Sequence, residues 1–222
     1  MKKSFLVIAA VTAAVLTTAP FSRAQSTDPT LISTTDHPVH LIHDIPAENP
    51  DGTINAVIEI PAGTNEKWEV SEQTGQPGLE YRHNRPRVIA YLGYPGNYGM
   101  IPRTLLAEEF GGDGDPLDVL VIGGPLHRGD IAPVRLIGVL KFLDNGEQDD
   151  KLLAVLPDSA LAQAQNPDDL ETRFPGALDI IRIWFEHYKG PGTMVFQGTG
   201  SADEARRILE TAMSYYQTLS SH

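Results

Sequence analysis

Gly112-Asp113-Gly114-Asp115-Pro116-Leu117-Asp118-Val119-Leu120-Val121 places three carboxylates within six residues, directly ahead of an apolar run that reads as a buried strand. Gly114 opens backbone angles closed to other residues, while Pro116 fixes φ and removes a donor. The segment can therefore bend at the strand's entrance and bring Asp113, Asp115 and Asp118 together despite their unequal spacing. Converging carboxylates repel unless cations lie between them, and hard divalent ions with oxygen ligands meet that need. The ordinary alternative is a solvated turn, since Asp-Gly and Asp-Pro pairs favour turns. An EF-hand calcium loop is excluded: counting from Asp113, Asp118 occupies its glycine position and Gly124 its closing glutamate position.

The 222-residue chain carries 17 basic and 29 acidic residues and no cysteine. Residues 1–24 read as a secretory signal: Lys2 and Lys3, an apolar core from Phe5 to Leu16, and a small-x-small cleavage site at Ser22-Arg23-Ala24. That core is short for a membrane span. The mature chain is expected to begin near Gln25, outside the cytoplasm, where proteins of this size often use disulfides; without cysteine this one relies on packing.

Without Lys2, Lys3 and Arg23, 14 basic residues face 29 acidic ones, a formal charge of −15. Such a surface repels nucleic acid, whose binding depends on neutralising phosphates with Lys and Arg. It repels bare phosphate too, so phosphate chemistry here requires bound cations and a few local basic groups. The absence of cysteine excludes thiolate metal sites and cysteine nucleophiles.

Residues 25–52 are polar and read as an arm, followed by a single domain over 53–222. His37, His40 and His43 recur every third residue in the arm, but Pro38 and Pro46 oppose the helix that would align them on a metal. Strand-like runs follow at 54–60, 67–70, 87–92, 118–122, 131–143 and 151–156, separated by Gly, Pro, Asn and Asp, as in a small barrel or sandwich. Helical patterns come late, at Ala177 to Tyr188 and from a capping signal at Ser201 to about Leu219. The expected class is α+β, a β-barrel with helices packed outside.

Val134 to Leu156 reads as a hairpin with the loop Asn145-Gly146-Glu147-Gln148, which would set Asp144 opposite Asp149. Opposed like charges weaken a sheet, so the pair suits a cation site better than a structural one. Asp149 and Lys151 share a strand face and Asp150 points away. Lys67 and Glu69 repeat that pairing, and Glu59 interrupts the apolar strand Val57-Ile58-Glu59-Ile60-Pro61. Tyr94 and Tyr98 flank a turn, while Tyr188 and Lys189 end a helix. Phenols and lysines so placed can reach oxyanions. Taken singly, each of these motifs is also an ordinary surface pair, cap or core edge.

Together they resemble the soluble inorganic pyrophosphatases of family I. The ordered matches are V-I-E-I-P at 57–61, K-W-E at 67–69, Y-P-G-N-Y-G at 94–99, D-G-D-P-L-D-V at 113–119, the D-x4-D-x-K hairpin at 144–151 and F-E-H-Y-K at 185–189. The resemblance implies a closed five-stranded, OB-like barrel, several magnesium ions per site, pyrophosphate as substrate, and a homo-oligomer, hexamers being common among bacterial relatives. It implies that Asp113, Asp118 and Asp149 bind the activating metals and that Asp144 and Glu59 serve metals arriving with substrate. It further implies that Asp115 helps activate the nucleophile. By the same resemblance Lys67, Tyr98, Lys151, Tyr188 and Lys189 match phosphate-contacting positions, with Glu69 and Tyr94 at supporting ones. Where the family usually has an arginine, this chain has Pro86 between Arg85 and Arg87. Arg87 is the expected phosphate ligand because a continuous apolar run, read as a strand, follows it.

The sequence holds no G-x-S-x-G elbow and no Walker A loop, which fits direct attack by water. Another phosphoanhydride hydrolase and a non-catalytic, exported divalent-metal binder are the rival readings. An oligonucleotide-binding barrel conflicts with the charge.

Overall fold

The computed structural model describes residues 38–107, 112 and 114–221. His37, Asp113 and the expected signal segment lie outside the described residues. From Pro38 to His222 the chain forms one compact unit. Among the described residues no helix is long and apolar enough to cross a membrane.

The strands are β1 (Ile54–Ile60), β2 (Trp68–Val70), β3 (Pro77–Leu79), β4 (Tyr81–Arg82), β5 (Arg85–Pro86), β6 (Asn97–Met100), β7 (Asp118–Ile122), β8 (Ile131–Asp144), β9 (Glu147–Gln148), β10 (Lys151–Val155) and β11 (Met194–Gly200). The helices are α1 (Pro167–Arg173), α2 (Ala177–His187) and α3 (Ala202–Ser220). β1 pairs with β6, β6 with β7, β7 with β10 in parallel, β10 with β8, and β8 with β1, so the path of pairing returns to its start. The long β8 makes this possible, because successive stretches of it serve β1, β10 and β11.

The central strands are apolar on both faces because both are covered. In β7, Leu120 and Ile122 join a core that includes Ile181, Trp184 and Phe185 of α2, while Val119 and Val121 join one that includes Ala205 and Leu209 of α3. This is the period-two alternation of a strand buried on two sides. Each large apolar side chain so buried contributes about 1.5–3 kcal/mol. Gly99 belongs to this packing by necessity: a Cβ there would lie 1.9 Å from the Val57 carbonyl oxygen.

Ser201 caps α3 by accepting from the Glu204 amide at 3.2 Å, as its sequence signal predicts. Residues 38–52 also pack into the unit. Leu41 and Ile42 are buried with Val57, Val70 and Met100. His40 and His43 stack with ring centroids 4.3 Å apart, and His43 Nδ1 lies 2.7 Å from the Tyr216 hydroxyl on α3.

Two expectations need correction. Residues 87–92 are not a strand: Val88 alone bridges Glu66, and Tyr91 and Leu92 are exposed. The chain turns there instead, with the Ile89 and Tyr94 amides donating to Asn65 and Thr64 carbonyls. The hairpin after β8 is also tighter than expected. Asn145 and Gly146 both take positive φ, 52° and 94°, the requirement of a two-residue turn. Asp144 therefore pairs with Glu147, and the Asp149 amide donates to Phe142, so Asp144 and Asp149 do not oppose each other.

Candidate active site

β10 starts at Lys151, whose side chain is 3% exposed and whose ammonium bridges Asp118 at the start of β7 and Asp149 on the same chain segment. The parallel β7–β10 pairing, with Leu152 beside Val119, brings these ends together. Burial alone would discharge this lysine, but the two carboxylates outweigh it and raise its pKa. Burial likewise pushes Asp118 up, yet Lys151 and a hydrogen bond from Tyr98 hold it below the ordinary carboxylate value. Asp150 faces away, as expected, accepting from the Phe142 amide at 3.2 Å.

Tyr98 forms the floor. Lys67 Nζ stands 5.7 Å and Lys151 Nζ 5.9 Å from its ring centroid. Burial and the neighbouring Asp118 and Asp149 keep its phenol protonated far above neutral pH. Lys67 pairs with Glu69 at 2.6 Å. Its ammonium stays charged despite burial because Tyr94, Glu69 and Asp118 favour the cation. Glu59 is buried behind them and accepts from the Val70 amide at 2.6 Å. Burial drives its pKa from 4.5 up to about 8.

On the other flank Lys189 pairs with Asp144, and Arg87 donates to Glu80 at 2.6 Å. Arg87, Asp144, Tyr188 and Lys189 share a cavity of about 450 Å³. Burial raises the Tyr188 phenol to about 12, so it too is a donor at neutral pH. Arg87 thus faces the site, although no strand follows it, while Arg85 is exposed on the β4–β5 hairpin. Asp115 is exposed on the acidic loop and lines a second cavity with Asp118 and Asp149. Gly114 has φ +99°, the left-handed freedom expected of it.

Among the described residues no three His, Cys, Asp or Glu side chains gather closely enough to hold a metal by themselves. Lysines separate the carboxylates, and Asp113 lies outside the described residues. The donors are nonetheless all carboxylate oxygens clustered around cations, the chemistry of a hard divalent ion.

Several supporting residues were not singled out from the sequence. Trp184 stacks on Tyr188 at 4.6 Å, contacts Tyr94 at 4.4 Å and donates to the Leu92 carbonyl at 2.9 Å, which fixes the phenol that ends α2. Asn97 is fully buried. Its carbonyl oxygen accepts from Ala62 and Leu126, and its amide donates to Gly124, clamping the loops around Tyr98. A polar residue inside a buried β6 is the signal that marks it. Arg128 lies 3.8 Å above the Trp68 ring and donates to the Glu59 carbonyl, a long-range contact with no local signature.

A family model described as inorganic pyrophosphatase matches residues 56–217. An inorganic pyrophosphatase of Sulfolobus acidocaldarius is 38% identical over 173 residues, covering 76% of this chain and 94% of that protein. One from Ralstonia nicotianae is 35% identical over 177 residues, covering 78% and 95%. The solved structure of inorganic pyrophosphatase from Schistosoma japonicum aligns with a TM-score of 0.76 at 28% identity, covering 82% of this chain and 73% of that one. The chain belongs to the inorganic pyrophosphatase family, of the soluble family I type.

Proposed function

We propose that the cluster around Lys151 hydrolyses inorganic pyrophosphate to two orthophosphates. The observation that carries this is a cluster of donors, Lys67, Lys151, Tyr98, Tyr188, Lys189 and Arg87, interleaved with Glu59, Asp118, Asp144 and Asp149. Cationic donors alone would trap phosphate, and carboxylates alone would repel it. Their alternation suits an anion that arrives with divalent cations.

Asp118 and Asp149, with Asp113, would hold the activating magnesium ions, and Asp144 and Glu59 those that accompany substrate. Such ions supply charge neutralisation and lower the pKa of an attacking water. Asp115, exposed on the acidic loop beside Asp118, would help activate that water by accepting its hydrogen bond. Lys67 and Lys151 hold one phosphoryl over Tyr98. Arg87, Tyr188 and Lys189 hold the other and stabilise charge developing on the leaving phosphate. Lys67, Lys151, Arg87, Tyr98 and Tyr188 all have raised pKa values and keep their protons at neutral pH, so these donors bind anions over a wide pH range. No covalent intermediate is required.

The returning path of strand pairing supports a closed five-stranded, OB-like barrel as the scaffold, with the site across one end of it. Export through cleavage near Ala24, a periplasmic location and homo-oligomeric assembly belong to the same proposal. Amino-terminal sequencing of periplasmic protein should begin near Gln25, and an uncleaved cytoplasmic product would overturn export. The assay of function is phosphate release from pyrophosphate, ATP and tripolyphosphate, with magnesium and with chelator. Pyrophosphate should dominate and need the metal. Equal release from all three would favour a general phosphoanhydride hydrolase, and release from none a metal-binding protein.

A further inference from the structure

Arg82 and Arg85 pair directly across the β4–β5 hairpin, which places both guanidinium groups on one face of the ribbon. Both residues are exposed. The turn between them, His83-Asn84, holds two non-glycine residues at φ 54° and 60°, so the hairpin closes at a conformational cost. Opposed like charges add a second cost. Neither arginine has a hydrogen-bond or ion-pair partner among the described residues, in a chain where 29 acidic groups compete for 17 basic ones. Elsewhere among those residues lysines and arginines are paired with carboxylates or carbonyls, Arg207 excepted.

Arg82 also lines the cavity of about 450 Å³ that holds Arg87, Tyr188, Lys189 and Asp144. That volume suits a small ligand. The cavity therefore runs outward from one end of the pyrophosphate site to an unpaired guanidinium, beyond the groups that two phosphoryls require.

We propose that Arg82 and Arg85 form an outer subsite for the third phosphoryl of a condensed phosphate chain. A guanidinium matches a phosphate in bidentate fashion, and one phosphoryl between the two arginines relieves their mutual repulsion. The ligand is recognised by its phosphate chain, whether inorganic tripolyphosphate or the tail of a nucleoside triphosphate. The inference rests on the pyrophosphatase reading for the position of the first two phosphoryls.

The test compares wild type with Arg82→Gln/Arg85→Gln, and with Arg82→Glu alone as a second variant. Calorimetry measures binding of tripolyphosphate, of a non-hydrolysable nucleoside triphosphate and of a non-hydrolysable pyrophosphate analogue, and steady-state assays follow pyrophosphate hydrolysis. Tripolyphosphate binding should weaken about tenfold or more in the double variant, the loss expected for removed charge-assisted contacts, while the pyrophosphate analogue and pyrophosphate kinetics stay within about twofold. Equal weakening of the nucleotide confirms readout of the chain alone. Unchanged tripolyphosphate binding, loss of nucleotide binding only, or a matching loss for the pyrophosphate analogue would each overturn the subsite. A wild type that hydrolyses no pyrophosphate would count against the function, whereas the tripolyphosphate titration still decides the subsite.

Discussion

Replacing Glu59 by Gln removes the titration of a carboxyl buried within β1 while keeping its size and an oxygen for the Val70 amide. Burial, opposed by the Val70 hydrogen bond and Lys67, leaves Glu59 with a folded-state pKa of about 8 against an ordinary 4.5. Between those values the folded chain holds a proton that the unfolded chain has lost, so stability falls as pH rises. The penalty is absent below about 4.5 and complete above about 8. At about 1.4 kcal/mol per unit, it reaches on the order of 5 kcal/mol.

Urea unfolding in chelator, for wild type and Glu59→Gln, isolates this group because the other titrations are common to both chains. The advantage of the variant should grow by several kcal/mol from about pH 5 to about pH 8.5. Magnesium, which favours ionised Glu59 in this account, should shrink or reverse it. An advantage that stays constant across that range in chelator would refute the buried, proton-holding carboxyl.

Lys151→Met should leave Asp118 and Asp149 without their shared cation, lowering stability in chelator by about 3–5 kcal/mol and activity by about a hundredfold or more. Urea unfolding and phosphate release measure the two effects. Magnesium should raise the melting temperature of the wild type by mass action. Asp144→Asn/Asp149→Asn should lose most of that rise, and should also melt lower than wild type in chelator because Lys189 and Lys151 each lose a partner. Gly99→Ala should lower the melting temperature by several degrees, given the cost of overpacking a closed strand pair at about 1–3 kcal/mol. A variant melting with wild type would mean that β1 and β6 can separate.

The acidic run, the β10 lysine and the helix-ending Tyr188-Lys189 were legible because each sits beside an element with a strong local pattern. Asp118 precedes a run of apolar β residues, and Lys67 and Glu69 share a face by strand periodicity alone. Where tertiary contacts decide, the sequence misleads. Residues 87–92 look extended, but the bonds from Ile89 and Tyr94 to Asn65 and Thr64 turn them, so Arg87 reaches the site for a reason other than the one expected. The hairpin register depended on recognising Asn145-Gly146 as a complete turn. β11, with Gly198 and Gly200 in it, gains its strand conformation from β8 rather than from propensity. Leu41 and Ile42 are two apolar residues in a polar stretch, and only the surface left open by Val57 and Met100 identifies them as core.

A magnesium-dependent pyrophosphatase site built on Asp118 should lose its activity with that one charge. Phosphate release from pyrophosphate at saturating magnesium, measured for wild type and Asp118→Asn at equal concentrations of folded protein, tests it most directly. Wild type should release phosphate rapidly and in a chelator-sensitive way, and the variant at less than about a tenth of that rate. Equal rates in the two proteins, or none in the wild type, would contradict it.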